Sequence, residues 1–202
     1  MDKELMVAKE LARGAGAILM KHYRGKARVD WKGPGDPVTV ADREASRFIV
    51  SNLAREFPED TSVQFMYLPT LRALFSLSTH DASAAIDALQ TASRYDLALG
   101  SIGFTGRFGG LYPIYVRGLA YLAAGHPAEA AGEFQRILDH RSIVLVDPMD
   151  AMARLQLARA LTLASDVPRA KRAYDDFLTQ GRNADADIPL FGEARVEYTR
   201  LR

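Results

Sequence analysis

Apolar residues recur at three- and four-residue spacing through Leu5, Ala8, Leu11, Ala12, Ala15, Ile18 and Leu19, which predicts an amphipathic helix. The stripe stops at His22-Tyr23-Arg24-Gly25, with basic side chains in the last turn and a glycine placed to cap. Residues 26–38 contain Gly33-Pro34-Gly35-Asp36-Pro37, which cannot continue a helix and reads as an irregular connector. A second stripe follows at Ala41, Ala45, Phe48, Ile49, Leu53 and Phe57, and ends at Pro58. Two such helices alone leave their apolar faces uncovered, so they read as part of a domain.

Beyond residue 60 the pattern repeats. Val116-Arg117-Gly118-Leu119-Ala120-Tyr121-Leu122 is followed by Ala130 and Phe134. Forty residues on, Ala158, Leu161, Ala170 and Tyr174 stand where Gly118, Tyr121, Ala130 and Phe134 stood. Forty-five residues earlier, Arg72, Ala73, Leu74, Leu77, Ala85, Leu89 and Gln90 match Arg117, Gly118, Leu119, Leu122, Ala130, Phe134 and Gln135. Each copy reads as a helix, a short polar turn and a second helix. The turns are Thr79-His80-Asp81, Gly125-His126-Pro127 and Ser165-Asp166-Val167-Pro168. Small residues at the Gly118 and Ala130 positions let paired helices approach closely, and the large residue at the Phe134 position fills the gap between them.

This arrangement over residues 63–182 resembles the tetratricopeptide repeat family. It departs from the family in lacking an early tryptophan and in spacing its copies more widely than the usual period of about 34 residues. The competing reading is an unrelated helical bundle. Residues 188–201 are expected to form a terminal helix that covers the last open face. Tyr67-Leu-Pro-Thr-Leu-Arg-Ala-Leu74 and Leu138-Asp-His-Arg-Ser-Ile-Val-Leu-Val-Asp-Pro148 also resemble repeat regions that follow the kinase domain of some bacterial Ser/Thr kinases. The kinase motifs themselves are missing.

Composition narrows the function. With 26 Lys and Arg against 25 Asp and Glu, the formal charge is +1, and acidic residues are interspersed among the arginines, which excludes nucleic acid as the expected partner. No long uncharged apolar stretch and no secretory leader are read, so neither a membrane partner nor export is expected, and the cytoplasm is the expected compartment. The absence of cysteine removes disulfides, thiolate zinc sites and cysteine nucleophiles together. The histidines at 22, 80, 126 and 140 have no metal-ligand spacing. The glycine cluster Gly100–Gly110 lacks the strand and the Lys-Ser/Thr of a phosphate loop.

Basic-residue usage changes near residue 60. Residues 1–60 hold five lysines and six arginines, whereas residues 61–202 hold fourteen arginines and Lys171 alone among lysines. This divides the chain into an expected segment 1–60 and an expected repeat domain 61–202. Within the first, Gly14-Ala-Gly16, Val29-Asp-Trp-Lys-Gly33, Asp36-Pro-Val-Thr39-Val-Ala-Asp42-Arg-Glu-Ala45 and Phe57-Pro58-Glu59-Asp60 resemble the start of the inositol monophosphatase family. The resemblance implies that Thr39 and Asp42 belong to the edge of a magnesium site. The family's Gly-Glu-Glu is replaced by Thr61-Ser-Val-Gln-Phe-Met-Tyr67, and its Trp-Asp is absent. Asp147-Pro148-Met149-Asp150 resembles the family's Asp-Pro-Leu-Asp loop, but Ala151-Met152 stands in place of Gly-Thr. Asp147 and Pro148 read more strongly as the N-cap and first position of a helix, and Thr39 with Asp42 read equally well as a capping box.

The sequence therefore predicts an all-α fold: a tetratricopeptide-like superhelix of helix pairs preceded by two N-terminal helices. It predicts no catalytic residues and no cofactor. The expected function is binding of a protein or peptide on a concave surface formed by Tyr67, Tyr112, Tyr115, Leu119, Gln156 and Arg159. The alternative is a magnesium-dependent phosphatase of inositol or sugar phosphates, or an inactive remnant of one, with Thr39 and Asp42 at the metal. A hybrid product of two genes is a third possibility.

Overall fold

The computed structural model describes residues 2–23, 29–33, 36–98, 110–140, 148–185 and 188–201. They form two compact units, residues 1–95 and 96–202. The change in Lys/Arg usage near residue 60 lies inside the first unit. The architecture is all-α apart from one short hairpin.

In the first unit, helix α1 (Asp2–Tyr23) packs on α2 (Val40–Glu56). Burial on α1 centres on Val7, Leu11 and Ala15, and a Cβ at Gly14 would collide with the Phe48 ring of α2. Leu5 and Leu19 of the expected stripe are exposed. The helix is apolar on two faces, and α2 covers the one on which Gly14 permits close approach. Both ends of the pair are pinned: Lys3 Nζ donates to the Glu56 carbonyl at 2.6 Å, and His22 Nε2 lies 3.0 Å from Glu44 Oε2. The expected irregular connector contains an antiparallel hairpin, β1 (Val29–Gly33) and β2 (Asp36–Thr39), which pairs Val29 with Thr39 and Trp31 with Pro37. Gly25, the expected α1 cap, lies outside the described residues.

The chain continues from α2 without a structural break at residue 60. Gln64 Nε2 donates to the Phe57 carbonyl at 2.7 Å and to the Ala54 carbonyl at 3.3 Å, which satisfies groups that the end of a helix leaves open. A π-helical turn, Val63–Tyr67, leads into α3 (Leu68–Ser78), and α3 pairs with α4 (Ala82–Gln90). In the second unit α5 (Tyr112–Ala123) pairs with α6 (Pro127–Asp139), α7 (Met149–Leu163) with α8 (Val167–Gln180), and α9 (Pro189–Thr199) packs on α8.

The three pairs share one packing register. Gly118 faces Phe134, and the residues at the same repeat positions of the other pairs, Ala73 with Leu89 and Ala158 with Tyr174, are each no more than 2% exposed. A Cβ at Gly118 would stand 2.6 Å from the Phe134 ring, so glycine there is what lets α5 and α6 approach over a phenylalanine. Ala85, Ala130 and Ala170 are each fully buried at the opposite side of the contact. The turns repeat as well. His80, Gly125 and Ser165 hold φ of 61°, 77° and 62°. The following residues, Asp81, His126 and Asp166, donate to the carbonyls of Ser76, Tyr121 and Leu161 at 2.9 Å. That is one left-handed helix terminus used three times, with Asp81 and Asp166 then capping the next helix.

Only the middle turn carries glycine at the left-handed position, where an L side chain costs about 1–2 kcal/mol. His80→Gly and Ser165→Gly are therefore expected to stabilise the protein by about 0.5–1 kcal/mol each. Gly125→Ala should destabilise it by about 1–2 kcal/mol. Urea unfolding of the three variants checks the signs.

Candidate functional site

The residues expected on a concave surface divide between the units. Tyr67 ends the π-helical turn of the first unit and is exposed. The other five lie on α5 and α7 of the second. Tyr112, in the first turn of α5, is exposed, while Leu119 and Gln156 are half-buried.

Tyr115 and Arg159 are not available as expected. Tyr115 is buried, with its ring edge-on to Phe134 at 5.6 Å. Burial pushes its hydroxyl pKa up, against a hydrogen bond with Gln156. One turn from Tyr112, the same α5 face has rotated into the contact with α6, so Tyr115 serves the core. Arg159 is engaged by the terminal helix. Its guanidinium donates to Glu197 at 2.8 Å and to Glu193 at 3.1 Å. Helix α9 packs on α8, where Phe191 stacks on Phe177 at 4.9 Å.

Charge in this unit is handled internally. Arg117, 5% exposed, donates to Glu133 at 2.8 Å and to Asp96, which also accepts from Arg136 at 2.8 Å. Burial opposes the Arg117 charge, but the two carboxylates outweigh it and raise the pKa. Asp150, which the phosphatase resemblance made tempting, is buried in the first turn of α7. There it accepts from Arg154 Nε at 2.8 Å and from Gln180 Nε2 of α8 at 2.8 Å. It ties two helices together. Pro148 occupies the N-cap of α7 and the helix begins at Met149; Asp147 lies outside the described residues, as do residues 99–109 of the glycine cluster.

Sequence reasoning missed a groove of about 340 Å3 on the other side of α7. Leu157 and Leu161 floor it, and Arg154, Arg169 and Arg172 rim it. Helical phase was the available signal, because residues 154, 157 and 161 share one face, opposite 156 and 159. Two of the three arginines already have carboxylates, Arg154 with Asp150 and Arg169 with Asp166 at 3.5 Å.

At the start of α2, Thr39 and Asp42 form a reciprocal capping box. Asp42 Oδ2 accepts from the Thr39 N–H at 2.7 Å and from its hydroxyl at 2.8 Å, and the Asp42 N–H donates to Thr39 Oγ1 at 3.3 Å. Magnesium requires several converging oxygens, and the described residues contain no group of three or more His, Asp or Glu that could hold a metal ion. The donor set around Asp42 does not fit a catalytic magnesium.

The Arg159–Glu197–Tyr174 cluster gives α9 a pH dependence. Burial raises the Glu197 pKa, but hydrogen bonds from Arg159 and Tyr174 more than offset it and hold the carboxyl below its ordinary value. Tyr174 is pushed up to about 12 by burial and by Glu197. A depressed carboxylate contributes stability that is present above the unfolded value, about 4.3, and is lost as pH falls through the folded one. A raised phenol contributes stability that is present below its unfolded value and is lost as pH rises through about 12. Glu197→Gln should therefore be less stable than wild type at neutral pH, and the difference should shrink below about pH 4. Urea unfolding of both proteins as a function of pH checks this.

Comparison with known proteins finds a similarity over part of the chain. Among the described residues no helix is long and apolar enough to cross a membrane. No curated protein and no solved structure matches the chain. The model of the inositol monophosphatase family matches residues 1–66, a third of the sequence, which is the part containing α1, the hairpin, α2 and the capping box of Thr39 and Asp42.

Proposed function

We propose that this chain is a non-enzymatic protein-interaction module whose helix pairs are of the tetratricopeptide type. The observation that carries the reading is one left-handed turn used three times, with Gly118 against Phe134 in the middle pair and buried small and large residues at the same positions of the others, Ala73 with Leu89 and Ala158 with Tyr174. Repeats of helix pairs build surfaces that hold extended peptides or partner helices. On α5 and α7 the residues that would meet a partner are Tyr112, which is exposed, and the half-buried Leu119 and Gln156, with Tyr115 and Arg159 serving the scaffold. Tyrosine is among the residues enriched at binding hot spots, and Tyr112 is exposed on α5.

Panning a displayed random-peptide library on the full chain tests the reading. Enriched peptides are expected to lose about tenfold in affinity, roughly 1.4 kcal/mol, with Tyr112→Ala or Leu119→Ala at unchanged helicity. No enrichment over an unrelated control protein, or affinities indifferent to both variants, would overturn it.

The family match over residues 1–66 favours a second reading, a magnesium-dependent phosphatase of inositol or sugar phosphates or the inactive remnant of one. The missing glutamate pair and the closed capping box support the remnant. No phosphate release from inositol or sugar phosphates is expected with or without magnesium. Magnesium-stimulated release that Asp42→Asn abolishes would establish the enzyme instead.

A further inference from the structure

The first unit presents two exposed arginines, Arg47 and Arg72, on neighbouring helices. Arg72 of α3 occupies the repeat position of Arg117, forty-five residues earlier. Arg117 is buried and held by Glu133 and Asp96, but the residue at the Glu133 position in the first pair is Ala88. Arg72 is exposed and has no ion pair among the described residues. It lines a groove of about 250 Å3 between α2 and α3 together with Arg47, Val50, Phe75 and the serines 46, 51 and 76. No carboxylate lines this groove. Arg47 is also without an ion pair among the described residues, and its guanidinium lies 5.1 Å from the Phe75 ring centroid.

A second groove of about 250 Å3 shares Ser46, Val50 and Phe75 with the first and extends it along α2 toward Arg43. Its one carboxylate, Asp42, is committed to the capping box. On α2 the lining residues 43, 46, 47 and 50 fall on one face, at i, i+3, i+4 and i+7. On α3, residues 72, 75 and 76 do the same. The result is an apolar trough centred on Phe75 and Val50, bordered by arginines from both helices. Arg47 and Arg72 place two positive charges beside the apolar trough, and a partner carrying negative charge complements them.

We propose that the α2–α3 trough is a docking site for an acidic amphipathic helix of a partner protein, whose apolar side chains seat on Phe75 and Val50 while its carboxylates pair with Arg47 and Arg72. The mode is helix-in-groove recognition, with charge complementarity selecting the partner. It is independent of the α5–α7 face, so either site can fail without the other.

A fluorescent helix-forming peptide of about 14 residues, roughly four turns, carrying one Leu/Phe face flanked by glutamates, is the probe. The full chain is expected to bind it in a salt-sensitive manner. Replacing the peptide's glutamates by glutamine, its Leu/Phe face by serine, or the protein's Arg47 and Arg72 by glutamine should each weaken binding at least tenfold. Both arginines are exposed, so the Arg47→Gln/Arg72→Gln variant should keep its helicity by circular dichroism. Tyr112→Ala should bind the peptide as wild type does, which separates this site from the other. Equal affinity for the glutamine peptide, affinity unchanged in the double variant, or full displacement of the peptide by millimolar inorganic phosphate would overturn the proposal, because each would show that the specific pairing is absent.

Discussion

The contact between a small residue on one helix and a large one on its neighbour is what the rest of this structure depends on. At Gly118 the absence of a side chain lets the Phe134 ring lie against the α5 backbone. Truncating such a ring typically costs about 3–5 kcal/mol, a large share of the stability of an ordinary domain. Alanine plays the glycine's part at Ala73 and Ala158, with Leu89 and Tyr174 as the large partners. The same device appears where Gly14 admits Phe48, and where Gly181 at the end of α8 admits Phe191. Close helix approach fixes the register of each pair, and the left-handed turn between the helices follows from that register.

Because the register is fixed, the chemistry can change from one pair to the next while the framework stays the same. Arg117 and Arg72 stand at one repeat position with opposite consequences. The first is enclosed by Glu133 and Asp96 and contributes to the core; the second, facing Ala88 in the repeat, leaves its charge at the surface. Tyr115 and Arg159 likewise fall on the face of the repeat from which recognition was expected, and packing and the last helix use both. The segment that matches the phosphatase family model comprises two helices, a hairpin and a helix cap. Asp42, which would have a metal-site role in that family, here completes the hydrogen bonding of the α2 terminus.

Residues whose identity is set by close packing were the most legible in the sequence. The glycine or alanine opposite a large residue, and the polar turn that follows, place all three helix pairs because no other pattern satisfies both constraints. Helix α1 was legible as an element, but its buried line through Val7, Leu11 and Ala15 covers one edge of the apolar stripe and leaves Leu5 and Leu19 exposed at the other. The hairpin was hidden because Gly33, Pro34, Gly35 and Pro37 signal only that a helix stops. The surroundings of Tyr115 and Arg159 were not legible for a different reason: they depend on how far α5 turns toward α6 and on where α9 lands, neither of which is encoded locally. The shift from lysine to arginine usage near residue 60 carries no packing information, and the first compact unit runs on to residue 95.

The claim that most needs testing is that the phosphatase-like segment and the first helix pair form one folded unit. Gln64, reaching back to the carbonyls of Ala54 and Phe57, and the packing of α2 against α3 join them. Limited proteolysis with mass mapping of the cuts measures it directly. Residues 56–66 should resist cleavage as well as the interiors of α3 and α5 do. Rapid cutting there, with release of residues 1–56 and survival of the remainder, would contradict the account and leave the N-terminal segment a passenger.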